Sequence, residues 1–327
     1  MADVVTFGEA MVRLSPPSSR RLEQADTLEV TIGGAELNVA VGLVRLGRSA
    51  QWVSTLPRNP LGRMTLDRAR GQGVGTDWVC WDDDGRMGLY FVEYGASPRP
   101  SSVLYDRAGS SFGRGNGPEY DWKTILAGAR VFHTSGITPA LGERPGADVR
   151  NAMEAARSLG VTVSYDLNYR ARLWTAEDAR AAQEPLMEFV DVLITTEEDT
   201  RLVFGIEGRD YRAVARELAD RFGLKVVTIT LRTDHSVLRN GWTAIAFENG
   251  TVHDDRAYEI ELVDRIGGGD AYAAGFILGL LDGDVAKGVR YGNAFSALKQ
   301  TSWGDFPWAT ADEVEALIAN GGSRIVR

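Results

Sequence analysis

The most constraining stretch of this 327-residue chain runs from Asp264 to Leu281, where three consecutive glycines, Gly267, Gly268 and Gly269, lead straight into a helical pattern. Ala271, Ala274, Gly275, Leu278 and Leu281 recur at helical spacing, so a run without side chains opens a helix. Amide N–H groups there can turn toward an anion, and the helix dipole favours negative charge at the same place, so a phosphate is the expected ligand. Asp270 falls in the first turn, where the dipole favours its ionised form and leaves it free to take a proton from an alcohol. An anion cradle beside a base suits phosphoryl transfer to a hydroxyl. The same letters also suit a glycine linker before a core helix, and spacing alone does not separate the two.

Elsewhere β-rich runs and helical patterns alternate. Strands are expected at residues 4–7, 51–54, 78–81, 131–134, 161–165, 192–195 and 225–231, and helices at 36–46, 61–70, 147–158, 176–189, 211–222, 285–298 and 311–319. This is an α/β pattern with a mostly parallel sheet. Gly33-Gly34 opens a second helix after the extended stretch 28–32. Two β-rich runs, 88–94 and 102–107, flank Gly95-Ala96-Ser97-Pro98-Arg99-Pro100 and read as a hairpin, with Val103, Tyr105 and Arg107 on one face. Asn240-Gly241 marks a later hairpin. In an open α/β sheet the ligand crevice lies at the carboxyl ends of the strands, where Asp166, Asn168 and Arg170 leave the run 161–165. An extended segment aims all three the same way; a solvated loop with an Asx turn is the alternative.

Composition narrows the function. At 44% hydrophobic, the chain can bury a full core, and its length fits one large domain or two smaller ones. A formal charge of −9 argues against a general nucleic-acid or anionic-membrane surface. Cys80 is the single cysteine, which excludes an intrachain disulfide framework or a cysteine metal cluster. With no basic and apolar leader and no long apolar run, a cytoplasmic location is expected. Asn249-Gly250-Thr251 matches a glycosylation sequon only formally.

Several motifs fail on context. No Walker-type phosphate loop occurs. Gly71-Gln72-Gly73-Val74-Gly75 follows a helix and precedes a strand, the reverse of the dinucleotide fingerprint. Gly109-Ser110-Ser111-Phe112-Gly113 has the letters of a hydrolase nucleophile elbow but follows a polar hairpin, and none of His133, His235 and His253 has the context of a base or metal-ligand spacing.

Taken together, Gly33-Gly34, the hairpin and the Gly-Gly-Gly-Asp helix resemble the ribokinase-like (PfkB) family of sugar and nucleoside kinases over essentially the whole chain. The local wording is most similar to the 2-keto-3-deoxygluconate kinases of that family. It includes Gly8-Glu9-Ala10-Met11, Gly33-Gly34-Ala35-Glu36-Leu37-Asn38, Tyr105-Asp106-Arg107-Ala108-Gly109-Ser110, Gly136-Ile137-Thr138-Pro139-Ala140-Leu141 and Asp166-Leu167-Asn168-Tyr169-Arg170. Ala297-Leu298-Lys299 and Gly304-Asp305-Phe306 complete it.

The resemblance implies a three-layer, doubly wound, ribokinase-like domain over residues 1–327. A small β-sheet lid, about 12–32 and 88–107, closes over the sugar and often helps to form a homo-oligomer. It implies Asp270 as the base, Gly267, Gly268 and Gly269 as the phosphate cradle, and ATP with Mg2+ as the donor. Gly34, Asn38, Tyr90, Tyr105, Arg107, Arg170 and Asp305 fall at the sugar. Asn168, Thr195, Leu231 and Asn293 fall, with Gly267 and Gly269, at the nucleotide, and Glu198 acts indirectly on the metal. The arginines agree with a sugar acid, whose carboxylate they can grip through paired charge-assisted bonds, whereas neutral fructose or ribose offers none. The chain departs from the family at Thr195-Thr196-Glu197-Glu198, which keeps the glutamate but lacks an asparagine, and at Pro57-Arg58-Asn59-Pro60. Asp106 replaces a frequent tyrosine and is expected to bring a negative charge near the carboxylate site.

Overall fold

Alternate residues of a strand face opposite ways, and in this chain both sets are apolar. Val4 joins one buried cluster and Val5 another, and Val192 and Leu193 divide in the same way. Such strands need helices on both faces. The computed structural model describes residues 2–208 and 210–321, so Met1, Arg209 and residues 322–327 of the expected domain span lie outside the described residues.

Strands β1 (Val4–Phe7), β2 (Met11–Ser15) and β3 (Glu29–Gly33) precede helix α1 (Ala35–Arg45). Then come β4 (Ala50–Pro57), α2 (Pro60–Gly71), β5 (Val79–Asp82), β6 (Leu89–Glu93) and β7 (Ser102–Asp106). Short helices α3 (Ser111–Arg114) and α4 (Trp122–Ile125) lead to β8 (Val131–Ser135), α5 (Glu143–Leu159), β9 (Thr162–Asp166), α6 (Ala176–Gln183) and β10 (Val192–Thr196). Next are α7 (Glu197–Asp199), α8 (Tyr211–Phe222), β11 (Val226–Ser236), β12 (Arg239–Glu248), β13 (Thr251–Asp254) and β14 (Tyr258–Glu261). Helices α9 (Gly268–Leu281), α10 (Val285–Gln300) and α11 (Ala311–Asn320) follow.

The larger sheet runs β13-β12-β11-β10-β9-β8-β1-β4-β5, with β14 also on β12, and is parallel from β11 to β5. The cluster on one face includes residues of α1, α9 and α10, and that on the other includes residues of α5, α6 and α8. This is the doubly wound, three-layer arrangement expected. A separate sheet, β3-β2-β6-β7, contains the expected hairpin as its antiparallel pair β6–β7.

Two local expectations change. The helix expected over 176–189 ends at Gln183 and continues as a 3₁₀ turn through Phe189, because Pro185 cannot donate to the helical ladder. Asn240 and Gly241 do not form a turn: they lie inside β12, opposite Asp234 and Thr233, and the chain reverses before Arg239. The Asn-Gly pair that does turn is Asn249-Gly250, both at positive φ (48° and 83°), between β12 and β13.

Candidate active site

One face of the small sheet, the carboxyl ends of β9, β10 and β11, and the first turns of α1 and α9 enclose a cavity of about 800 Å³. Helix α9 is buried along most of its length and packs on α1 and α10, so its amino end is a fixed wall. Gly267 caps it at φ 84°, where a side chain is strained, and a Cβ there would lie 2.3 Å from the Asp305 carbonyl oxygen. First-turn amides have no intrahelical acceptor and face outward from the helix end. Gly267 and Gly269 line the cavity; Gly268 does not, and packs against Gln300 behind it.

Asp270 opens onto the cavity beside these amides and is partly accessible through it. Asn38 Nδ2, from α1, donates to Asp270 Oδ2 at 2.6 Å. The Asp270 carboxyl is pushed up to about 6, mainly by burial and further by Asp305, against the pull of Asn38, Arg170 and Lys299. Burial thus works against the ionised form that the helix end favours, yet the group remains mostly ionised at neutral pH.

Gly34 lets the start of α1 approach the connection between β1 and β2, since a Cβ would sit 2.2 Å from the Glu9 carbonyl oxygen. Across the cavity, the rings of Tyr90 and Tyr105 stack at 5.9 Å. Tyr90 donates its hydroxyl to Asp305 Oδ2 at 2.6 Å, and Arg13 donates from Nη1 to Asp305 Oδ1 at 2.7 Å, so both carboxylate oxygens are held. Arg107 donates from Nε to Glu9 Oε2 at 2.9 Å and from Nη2 to the same oxygen, while Ser110 donates its hydroxyl to Glu9 Oε1. Asp106 does not bring its charge to the cavity, contrary to expectation: alternation turns it to the other face of β7, where Arg86 holds it at 2.7 Å.

Beyond β9 the chain is not extended. Asn168 adopts φ 41°, and its N–H donates to Asp166 Oδ1 at 3.2 Å in an Asx turn. Asp166, Asn168 and Arg170 nevertheless all line the cavity, so the turn and the convergence coexist. Burial, with Asp199 and Asp270 nearby, raises Asp166 well above the ordinary carboxyl range.

Thr195, Leu231 and the exposed Glu198 line the far end of the same cavity. Asn293 does not: it is fully buried within α10, and neither amide atom has a hydrogen-bond partner among the described residues. Among the described residues no group of three or more acidic, histidine or cysteine side chains forms a self-sufficient metal site. Glu198 and Asp199 on the cavity wall are the carboxylates that could face an ion carried by nucleotide phosphates there.

Four side chains built into this region were not assigned roles from sequence: Glu9, Arg13, Glu36 and Lys299. Glu36 is buried and accepts from Ser135 Oγ at 2.6 Å and its N–H at 3.0 Å; burial pushes it up to about 7. Arg13 bridges Asp264 and Asp305 at 2.7 Å each. A charged residue on the inward face of β2 was the available signal.

The chain matches the pfkB family carbohydrate kinase pattern over residues 1–306. It is 42% identical to a 2-dehydro-3-deoxygalactonokinase of Haloferax volcanii, across 100% of this chain and 99% of that protein. The crystal structure of a 2-dehydro-3-deoxygluconokinase of Thermotoga maritima superposes with a TM-score of 0.93 at 46% identity, covering 97% of this chain and 98% of that one. A 5-dehydro-2-deoxygluconokinase of Bacillus subtilis is 29% identical over 97% of the chain and 95% of its own length. On the family match and these full-length likenesses, the chain belongs to the pfkB family of carbohydrate kinases.

Proposed function

We propose that the protein transfers the outermost phosphate of ATP to the terminal hydroxyl of 2-keto-3-deoxygluconate, giving the 6-phosphate. The observation that carries this reading is the convergence of Arg107 and Arg170 with Asp270, Gly267 and Gly269 on one cavity. The guanidinium groups grip the acid's carboxylate, with Tyr90, Tyr105, Gly34 and Asp305 around the sugar. Asn38 orients Asp270, which takes the proton from the attacking hydroxyl as the new O–P bond forms and the bond to ADP breaks. The amides at Gly267 and Gly269 meet the charge on the transferring phosphate, and Asn168, Thr195 and Leu231 border the nucleotide. Magnesium bound with ATP neutralises phosphate charge.

The small sheet acts as the lid. Its outer face carries Val30, Leu14, Phe91 and Leu104 in one row across the strands, and Val30 and Leu104 are about half exposed. A row of this kind fits a second copy of the chain through lid-to-lid packing.

An acceptor panel under coupled ADP detection tests the reading: 2-keto-3-deoxygluconate, its galactonate epimer, fructose, ribose and adenosine. Turnover of the keto acids is expected. Turnover confined to fructose or ribose would instead make this a neutral-sugar kinase of the same fold and reject the carboxylate argument.

A further inference from the structure

Lys299, at the end of α10, is completely buried, and its Nζ donates to the Asp264 carbonyl oxygen at 3.0 Å. The reaction outlined above leaves it without a task. Removing an ammonium from water costs several kcal/mol unless close partners compensate. Among the described residues Lys299 makes no ion pair, because the carboxylates of Asp264 and Asp305 are taken by Arg13.

Its surroundings tie it to the phosphate cradle. The Lys299 Cε lies 3.2 Å from the place a Gly267 Cβ would occupy. Asp264, whose carbonyl it holds, begins the turn into the glycines, and its carboxylate accepts the N–H of Ile266 at 3.0 Å and of Gly304 at 3.1 Å. The turn is therefore fixed from two sides, by Arg13 from the lid and by Lys299 from α10. Burial weakens the hold of Lys299 on its proton, the Arg13 guanidinium adds to that, and the facing carboxylates of Asp264, Asp305 and Asp270 oppose it. Its charge also favours the ionised form of Asp270.

We infer that Lys299 is a positioning residue for phosphoryl transfer: it holds the Asp264 carbonyl under the glycine turn and sets a fixed positive charge behind the amides and beside Asp270. This rests on the reading of Asp270 as base and of the glycines as cradle, and it holds for either a sugar acid or a neutral sugar. A charge fixed in a poorly solvated wall needs no reorganisation when phosphate charge shifts during transfer.

Lys299→Gln keeps a donor for the Asp264 carbonyl and removes the charge; Lys299→Met removes both. Turnover should fall by about tenfold in the first and about a hundredfold in the second, the scale of losing one preorganised donor, with sugar KM within about threefold. Without the positive charge the Asp270 carboxylate is less favoured, so the acid limb of the kcat profile should move to higher pH. Lys299→Ala should regain turnover saturably with added ammonium or methylammonium, whereas Asp270→Asn should not. Folded variants with normal turnover and an unmoved acid limb would overturn the inference. Failure of all three variants to fold would also overturn it, by making the ammonium purely structural. If wild-type protein phosphorylates no acceptor, or Asp270→Asn keeps its rate, the underlying kinase reading fails instead.

Discussion

Asp270 carries two opposing demands. As the proposed base it has to be ionised to accept a proton, yet it stands in a protein wall that pushes its carboxyl up to about 6. Turnover should therefore fall as pH drops through about 6, and a kcat/KM profile flat down to pH 4.5 would exclude it as the titrating base. Asn38 is the largest influence holding that value down, so Asn38→Ala should carry the acid limb upward. Asp270→Asn should lower kcat by about 10² to 10⁴, the range of a positioned general base, with ATP binding by calorimetry largely retained. Arg107→Ala should raise KM for a keto acid by at least about tenfold, the worth of one charge-assisted hydrogen bond, and barely change that of a neutral sugar. Steady-state kinetics on the acceptor panel would expose a uniform effect on both.

At the scale of elements, β2 joins the small sheet to the turn before α9 through one side chain. Arg13 is buried and ion-paired with Asp264 and Asp305, both buried. Arg13→Met would strand two carboxylates without their partner and should destabilise the fold by about 3–5 kcal/mol, read by urea unfolding. A loss below about 1 kcal/mol would show that water replaces the guanidinium. The exposed pair Arg86–Asp106 makes the opposite case, since Asp106 faces away from the cavity. Asp106→Asn should leave keto-acid KM within about twofold, as expected for a screened surface pair.

The same scale shows what local letters cannot decide. Asn240-Gly241 and Asn249-Gly250 are the same dipeptide, but only the second has a strand partner placed to make a two-residue turn. The first is held extended between Thr233 and Glu259, because pairing on both sides outweighs turn preference. Pro185, in contrast, acts through its own ring, so the shortened α6 was readable from the residue alone.

For the whole molecule, the row Val30–Leu14–Phe91–Leu104 leads to a prediction about assembly. If two copies pack through it, Leu104→Asp should shift light-scattering mass from dimer to monomer and lower activity by loosening the lid. A monomeric wild type would remove that role. Periodicity and composition determined much else: two-faced apolar strands require helices on both sides, and a glycine run entering an apolar helix leaves a helix end bare of side chains. These are nearest-neighbour constraints, written in the chain itself. Only the tertiary structure decided which charges meet: that Glu9 takes Arg107, that Arg13 takes Asp264 and Asp305, that Asn293 stays in the core, and that burial raises the Asp270 carboxyl. Pairing and desolvation depend on distances between segments far apart in sequence, and those distances exist only once the sheets have closed over one another.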